Sequence, residues 1–547
     1  MFATMTRSLG HRAPLLWIVM PYAAGLALAK LTGMQNVAWP LAGAMVAALA
    51  AGWWSGSSTV RWATLLVASM MLAGAASYAT HRARLPAWEA LPAREARLSV
   101  KVNRVFTQVD PRRATGLGTV TRANDHLGDL VGQKIYFSLS LKKGDATPLR
   151  TMSLAVVGVL VTLPVSPHGE TFDSHLAGAG INFRLTRGRV VSIEALPRPY
   201  YKFCADAASR FHAILGEGIA SKRPALAGLL RAMMLGATHD LNEEQHQLFL
   251  QSGTMHLFAI SGLNIGVIAG ALQTLLLLMR LPAWTRFVIG ATLLWLFVDI
   301  TGASPSAVRA FAMAVFLQAA FVLRRPANVL ASLLLSALGV LLISPLQLFG
   351  ASFLMSYTIV AALLVLGLPL GEAWSSAWSP WRDLPKPVWR WWQHWIDAGW
   401  RAFTSAIAIG IATTLVSLLT GIQFFGLLTP GSLAANLFLI PAAMVATLGG
   451  FASLLCGLLT WDSGAALCNH AAALLLWLIE SVVRISVTVP GAFLPARFRA
   501  DWIGDAALIA LLASLFAGYA ARWRSPGGWW PPFGIVALVL LFGVTFP

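Results

Sequence analysis

A short run in the middle of the chain combines polar side chains with an apolar setting. It opens an apolar stretch long enough to cross a bilayer, and its sequence is Met255-His256-Leu257-Phe258-Ala259-Ile260-Ser261-Gly262-Leu263-Asn264-Ile265-Gly266. Polar groups at membrane depth usually face a protein interior or a water-filled path, because lipid offers them no hydrogen bonds. His256, Ser261 and Asn264 therefore predict a segment built around a polar passage or site.

The same run could also serve catalysis or packing. His256 and Ser261 are the residue types of a general base and a nucleophile, which would make an intramembrane hydrolase. On an ideal helix their spacing leaves a net rotation of about 140°, so the two side chains would point to different faces. We therefore expect a conduit without catalytic residues. A purely structural role for these residues also stays open. A histidine side chain can hydrogen-bond a nearby carbonyl, and Gly262, Gly266 and Gly270 form a small-xxx-small face on which another helix can pack.

Further polar residues interrupt later apolar stretches. Asp299 and Arg309 flank a turn-like segment that contains Ser304, so they could pair across a hairpin or line the passage. A charge at the bilayer centre costs about 2.5–3.5 kcal/mol on insertion scales. Asn436 precedes Pro441, which can unwind a helix beside a path. The predicted polar path consists of His256, Ser261, Gly262, Asn264, Asp299, Ser304, Arg309 and Asn436.

The composition of the chain is that of a polytopic membrane protein. Of its 547 residues, 57% are hydrophobic and only 11% are charged, a profile typical of a bundle of membrane helices. Because some apolar runs could be re-entrant or split, we expect roughly 10–13 membrane segments. The runs are 15–31, 37–54, 62–79, 255–279, 286–303, 306–323, 328–343, 347–370, 401–420, 430–459, 465–487, 503–521 and 531–546.

Basic residues in short loops predict how the chain crosses the membrane. Arg7 and Arg12 precede the first span, which places the N-terminus on the cytoplasmic side and residues 80–254 on the outer side of the membrane. By the same rule, most of the later loops that contain Lys or Arg lie on the cytoplasmic side. Arg497 and Arg499 are the exception.

Residues 81–200 have a different character from the apolar remainder. Short alternating or β-branched runs occur at Arg97–Phe106, Gly118–Arg122, Lys134–Leu141, Ser153–Leu163 and Ile181–Ile193. Five short strands suit a small barrel, of which the OB-fold is the five-stranded case. We therefore predict a polytopic α-helical protein with an inserted extracytoplasmic OB-like domain. Its parts are a transmembrane bundle at 1–80, the barrel at 81–200, amphipathic surface helices at 201–250 and a channel bundle at 251–547.

Half of the net charge of +18 falls on the predicted barrel, where residues 82–202 carry 18 Lys and Arg against 9 Asp and Glu. Such a surface attracts a polyanion or anionic lipid headgroups. OB-folds often bind single strands with a basic groove and stacking aromatics, and Phe106, Tyr136, Phe137 and Phe183 are either platforms or barrel core. The predicted DNA-binding residues are Arg97, Lys101, Arg104, Arg112, Arg113, Arg122, Lys134, Lys142, Lys143, Arg184, Arg187 and Arg189.

Several motifs occur in a fixed order around the central run. They are Phe172-Asp173-Ser174-His175-Leu176-Ala177-Gly178-Ala179-Gly180-Ile181, Met234-Leu235-Gly236, Thr301-Gly302-Ala303-Ser304-Pro305-Ser306-Ala307-Val308-Arg309-Ala310, Phe353-Leu354-Met355-Ser356-Tyr357 and Phe425-Gly426. Together they resemble the ComEC family of competence proteins across residues 15–460. The resemblance implies an inner-membrane channel that passes single-stranded DNA into the cytoplasm during natural transformation.

Two features depart from that family's pattern. Asn264 stands where relatives usually have a second histidine, and asparagine keeps a hydrogen bond but cannot titrate. Many relatives also carry a C-terminal metallo-β-lactamase-like nuclease domain. We expect this chain to lack it, because its histidines form no His-x-His-x-Asp-His cluster. No catalytic, metal or cofactor site is therefore expected.

A DNA strand entering a negative cytoplasm works against the membrane potential, at about 2.3 kcal/mol per charge per 100 mV. The sequence contains no Gly-Lys-Ser or Gly-Lys-Thr of a Walker loop, so a partner must pull. The resemblance implies single-stranded DNA, a periplasmic DNA receptor, a cytosolic ATP-driven motor or strand-binding recombination proteins, a separately encoded nuclease and the lipid bilayer as partners. A transporter of another anionic polymer or solute is the alternative.

Overall fold

The structure is a computed structural model that combines a large helical bundle with a small β-barrel. The residues that it describes are 15–55, 59–82, 91–106, 112–142, 147–163, 172–173, 176, 180–258, 260–325, 328–381, 384, 386–524 and 527–546. Within these ranges, nine helices are long and apolar enough to cross a membrane. The chain is thus a multi-pass membrane protein with a barrel near its N-terminal region, which confirms the predicted fold class.

Each predicted apolar run contains a helix. The helices are α1 (Leu16–Leu31), α2 (Ala38–Trp54), α3 (Thr59–His81), α4 (Pro199–Ile214), α5 (Pro224–Leu235), α6 (Glu243–Gln251), α7 (Gly262–Leu278), α8 (Ala283–Ile300), α9 (Pro305–Val322), α10 (Val329–Ile343), α11 (Ala351–Ala377), α12 (Trp391–Phe425), α13 (Ser432–Leu458), α14 (Asp462–Thr488), α15 (Asp501–Ala520) and α16 (Trp530–Phe542). Within α11, residues Leu363–Gly367 form a π-helical turn.

Local sequence explains where the central helices begin. Ser261 caps α7, and Ser304 caps α9 by accepting the N–H of Ala307 at 3.3 Å. Pro305 follows at the first helical position, where its missing N–H costs nothing. Asn328 caps α10 in the same way. Side-chain oxygens thus satisfy N–H groups that membrane lipid could not bind.

The barrel closes in the strand order β1-β2-β3-β5-β4, with β3 and β5 parallel and the other pairs antiparallel. Its strands are β1 (Arg94–Phe106), β2 (Arg113–Ala123), β3 (Lys134–Ser140), β4 (Ser153–Thr162) and β5 (Phe183–Ala195). Phe137 and Phe183 lie in its core at 1% and 2% exposure. These two rings are therefore not stacking platforms, because the small barrel needs them as filling.

The helices that follow the barrel differ from the prediction that all of them lie on the membrane surface. Eight of the twelve residues of α5 are buried, and this helix packs against α13 and α14. Apolar residues occur around its whole circumference, which favours a buried helix over a surface one. In contrast, α4 keeps an exposed polar face with Lys202, Asp206 and Arg210.

Two contacts dock the barrel on the bundle. The Arg150 guanidinium, from the β3–β4 connection, lies 3.0 Å from a carboxylate oxygen of Asp299 near the end of α8. Asp299 also accepts, through its other oxygen, a hydrogen bond at 2.8 Å from the Tyr200 hydroxyl of α4, which is part of the bundle. On another side, the Arg82 guanidinium donates to the amide oxygen of Asn182, which just precedes β5. Asp299 therefore pairs with the barrel and not with Arg309 across a hairpin.

Tyr200 keeps its proton in this contact. Burial, and then the hydrogen bond and negative charge of Asp299, raise the pKa of the Tyr200 hydroxyl above its ordinary value. A phenol with a raised pKa stays a neutral donor at physiological pH. The Tyr200–Asp299 bond therefore persists throughout the physiological pH range.

The docking contact predicts an asymmetric response to mutation. The Asp299 side chain is 2% exposed, whereas that of Arg150 is 41% exposed. Arg150→Ala leaves a buried carboxylate with one hydrogen bond, and we expect a loss of up to about 3 kcal/mol, the low end for a broken buried pair. Asp299→Asn should cost less, because Arg150 can turn to water. Thermal unfolding of the purified full-length protein in detergent measures both.

Arg184→Ala is the matched control, because its pair with Asp173 at 2.8 Å is about one-third exposed on both sides. Such pairs contribute about 0–1 kcal/mol. Equal stability of the Arg150→Ala and Arg184→Ala proteins would show that Asp299 does not dock the barrel.

Candidate functional site

A cavity of about 3630 Å³ lies between the barrel and the bundle. Its barrel side is formed by β1–β3, including Arg104, Phe106, Leu117 and Lys134. Its other walls come from α7, α9, α11, α12 and α13. The cavity therefore joins the soluble domain to the helices that carry the polar residues.

The central run is not one continuous helix. His256 lies in a short 3₁₀ turn, Met255–Leu257, and α7 begins only at Gly262. The His256 Nδ1 is 3.0 Å from the carbonyl oxygen of Gly253, and the Ser261 hydroxyl accepts the N–H of Asn264 at 3.3 Å. The helical rotation that separated His256 from Ser261 does not apply here, but in the described chain no hydrogen bond joins their side chains.

Three residues of the predicted path, His256, Ser261 and Gly262, line the cavity together. Asn264 does not share this position, because it is 3% exposed and packed between helices. Its Nδ2 donates to the carbonyl oxygen of Met233 at 3.0 Å, and its Oδ1 accepts from Thr447 at 3.4 Å. Asn264 thus links α5, α7 and α13 on the side away from the path.

The other predicted path residues also fall into two groups, those that line the cavity and those that have a structural role elsewhere. Asp299 serves the docking contact, and Ser304 is the N-cap of α9. Its neighbour Ser306 lines the cavity and donates to the carbonyl oxygen of Ile260 at 2.6 Å. Sequence reasoning missed Ser306, although it belongs to the same motif as Ser304. Ser306 joins the start of α9 to the chain just before α7.

Arg309 and Asn436 line the cavity, and each has a polar atom without a partner. The Arg309 Nη2 donates to the carbonyl and hydroxyl oxygens of Ser352, both at 2.8 Å. Its Nε and Nη1 have no hydrogen-bond partner among the described residues, and neither has the Oδ1 of Asn436. These atoms are themselves covered by neighbouring side chains, so a guest in the cavity would reach them only after those side chains move.

Besides Arg309, four cations line the cavity, namely Lys30, Arg104, Lys134 and Arg497, and so do the carboxylates Asp501 and Asp505. Burial, and then the positive charge of Arg150, lower the pKa of the Arg104 guanidinium. Arg104 also lies over the Phe106 ring, 5.3 Å from its centroid. Arg497 lies in a two-residue strand, β6 (Arg497–Phe498), which pairs with β7 (Val544–Thr545). In the sequence, the only sign that Arg497 was unusual was that it did not follow the pattern of cytoplasmic basic loops.

The strand register separates the basic residues of the barrel into faces. One row of paired residues runs from Arg97 through Val157, Arg189 and Ser140 to Arg113. These three arginines are exposed on the barrel and are not among the residues that line the cavity. They form a separate basic band.

A second register row runs from Arg104 through Leu117 and Tyr136 to Arg184. Its first two residues line the cavity, and Arg184 is paired with Asp173. The Tyr136 ring stacks on Phe106 with centroids 6.3 Å apart. The cavity face of the barrel thus combines cations with an aromatic pair.

The remaining predicted DNA-binding residues lie outside both rows. Lys101, Arg112, Arg122, Lys142 and Arg187 are exposed on the barrel, and Lys143 lies outside the described residues. Among the described residues, no group of three or more His, Cys, Asp or Glu side chains is placed to hold a metal ion.

Comparison with known proteins identifies the type of bundle. The family model described as "Competence protein" matches residues 233–525, which is more than half of the chain. "ComE operon protein 3" of Bacillus subtilis (strain 168) is 29% identical over 143 residues, which span 26% of this chain and only 18% of that protein. No solved structure gives a significant match. The family match contains α7, α9, α11, α12 and α13, which form the cavity walls.

Replacing the two asparagines by alanine should change stability to different extents. Asn264→Ala leaves the Met233 carbonyl without this donor, so we expect a loss of about 1–3 kcal/mol in the free energy of unfolding. Asn436→Ala removes an oxygen that has no partner, so its effect should be within about 0.5 kcal/mol. Thermal unfolding of the full-length protein in one detergent compares them. A larger loss for Asn436→Ala would contradict the assignment of Asn264 to packing.

Proposed function

The chain belongs to the competence protein family, and on that premise we propose that it is an inner-membrane channel passing single-stranded DNA into the cytoplasm. Family membership supports a role in DNA uptake during transformation, with DNA as the substrate. The matched domain is of a transporter type and not an enzymatic type. The observation that carries the finer proposal is the cavity shared by the basic face of the barrel and the competence helices.

Charge at the barrel side of the cavity suits a polyanion. The cations Lys30, Arg104 and Lys134 line it, and clustered cations in a cleft raise the local concentration of an anionic substrate. A strand can also stack its bases on aromatic rings, and Phe106 lines the same region. We propose that the strand enters between the barrel and the bundle.

The interior of the cavity offers polar groups in an otherwise apolar wall. His256 and Ser261 line it near the start of α7, and Asn436 lies on α13. Such groups can replace part of the water that surrounds a nucleic acid in solution. They form the proposed path, and Asn264 is not part of it.

The proposal requires partners on both sides of the membrane. Inward transport works against the membrane potential, so a cytosolic ATP-driven motor or strand-binding recombination proteins would pull. A periplasmic receptor would deliver DNA to the barrel, and a separately encoded nuclease would supply the single strand. The N-terminus would then lie in the cytoplasm.

Disruption of the gene should separate DNA binding from DNA entry. We expect disrupted cells to bind labelled DNA at the surface at the usual level and to accumulate none in the cytoplasm, because only the channel is missing. Complementation with the full-length chain should restore entry. Normal cytoplasmic accumulation in the disrupted cells would refute the channel, and equal loss of labelled polyphosphate uptake would favour the broader anion transporter.

A pair of double variants can test which barrel face meets the strand. Binding of single-stranded DNA to the full-length protein in nanodiscs should weaken as salt rises, with a log–log slope of about −0.7 for each phosphate contacted. Replacing Arg104 and Lys134 by Gln should make the slope shallower by about 1.4.

The matched control replaces Arg97 and Arg189, which are exposed in the separate basic band, by Gln. Both double variants remove the same net charge, so a general charge effect would change them equally. We expect the control to keep the slope of the unmodified protein. A shallower slope for the control alone would place the contact on the other face.

A further inference from the structure

Arg309 is a buried cation without a counter-charge. It is 1% exposed, lies on α9 and lines the cavity. Among the described residues no carboxylate lies within salt-bridge distance of its guanidinium. Ser352 accepts from Nη2 alone, so Nε and Nη1 have N–H groups without acceptors.

Burying a guanidinium with unpaired N–H groups costs free energy unless a partner accepts the missing hydrogen bonds. Removing a guanidinium from water costs several kcal/mol, and uncharged hydrogen bonds to one nitrogen recover only part of that. An apolar side chain of similar volume would often be neutral or stabilising at such a site. The fold nevertheless holds the guanidinium in place through both oxygens of Ser352. An anion that enters the cavity would supply this partner once the side chains that cover Nε and Nη1 move aside.

The position of Arg309 suits such a guest. Ser306 and Arg309 are three residues apart on α9, and residues at that spacing share a helix face. Both line the cavity. Ser306 is bonded to Ile260 beside the start of α7, so Arg309 lies about one helical turn further along the wall.

We propose that Arg309 is a phosphate-binding station inside the channel, where successive phosphodiester groups of the strand accept hydrogen bonds from Nε and Nη1. This inference rests on the proposed function. A guanidinium keeps its charge at every physiological pH and suits phosphate oxygens. One cation, rather than a row of them, holds each phosphate briefly and lets the strand move on, because conduction requires binding weak enough to leave.

Three variants in competent cells test the station, each compared at equal membrane abundance. Arg309→Met removes the charge while keeping an apolar side chain of similar length, and should lower cytoplasmic DNA by about tenfold or more with surface-bound DNA unchanged. Arg309→Lys should retain an intermediate level, because it keeps the charge but loses the planar donor set. Arg210→Met, on the exposed polar face of α4, should behave as the unmodified protein.

Normal DNA entry with Arg309→Met would overturn the station and leave the channel proposal standing, because gene disruption tests that separately. Should Arg309→Met fail to accumulate, photo-crosslinking of the unmodified protein decides. A single strand carrying 5-iodouracil should label the peptide that contains Arg309, and a strand with neutral methylphosphonate linkages should not. Equal labelling by both strands, or no labelling of that peptide, would also overturn it.

The crosslinking experiment also distinguishes the phosphates of the DNA strand from those of lipid headgroups. In nanodiscs of phosphatidylcholine alone and with added phosphatidylglycerol, a station for the strand gives the same labelling. Loss of labelling specific to phosphatidylglycerol would assign the Arg309 contact to a lipid headgroup and overturn the strand station.

Discussion

The structure depends on one constraint: lipid cannot form hydrogen bonds, so each polar group in the bundle must find its partner in the protein or in what the protein encloses. Asn264 has partners at both ends of its amide, on α5 and α13. Arg309 and Asn436 keep unpaired atoms, and both line the cavity. Asn264 therefore holds the helices together, whereas Arg309 and Asn436 belong to the cavity wall.

The same rule explains how the barrel is held. Asp299 is a buried carboxylate in a membrane helix, and its partners Arg150 and Tyr200 come from the barrel and the helix after it. The charge of Asp299, which would be costly in the bundle alone, is thus stabilised by the docked barrel. With Asn182 bonded to Arg82 on another side, the face that carries Arg104 is kept over the cavity.

Periodicity in the sequence was enough to predict the helices and the barrel strands, because the apolar runs and the alternating runs are local signals. It could not reveal that Asp299 pairs with Arg150, which lies 149 residues earlier in the chain. Nor could it orient Asn264, because Ser261 starts a new helix there and resets the phase from which a face is counted. Chemistry-bearing residues were recognised by type, but their directions required the tertiary packing.

The exception to the charge pattern has a physical explanation under the proposed orientation. Arginines in translocated loops oppose the bias that orients membrane spans, so Arg497 needs a compensating use. Its short strand is paired with β7, and it lines the cavity together with Lys30 and Arg104. A cation outside the membrane is the charge that draws an anionic strand towards the entrance. Under the proposed function, the residue that weakens the topology signal therefore lines the space that the strand would enter.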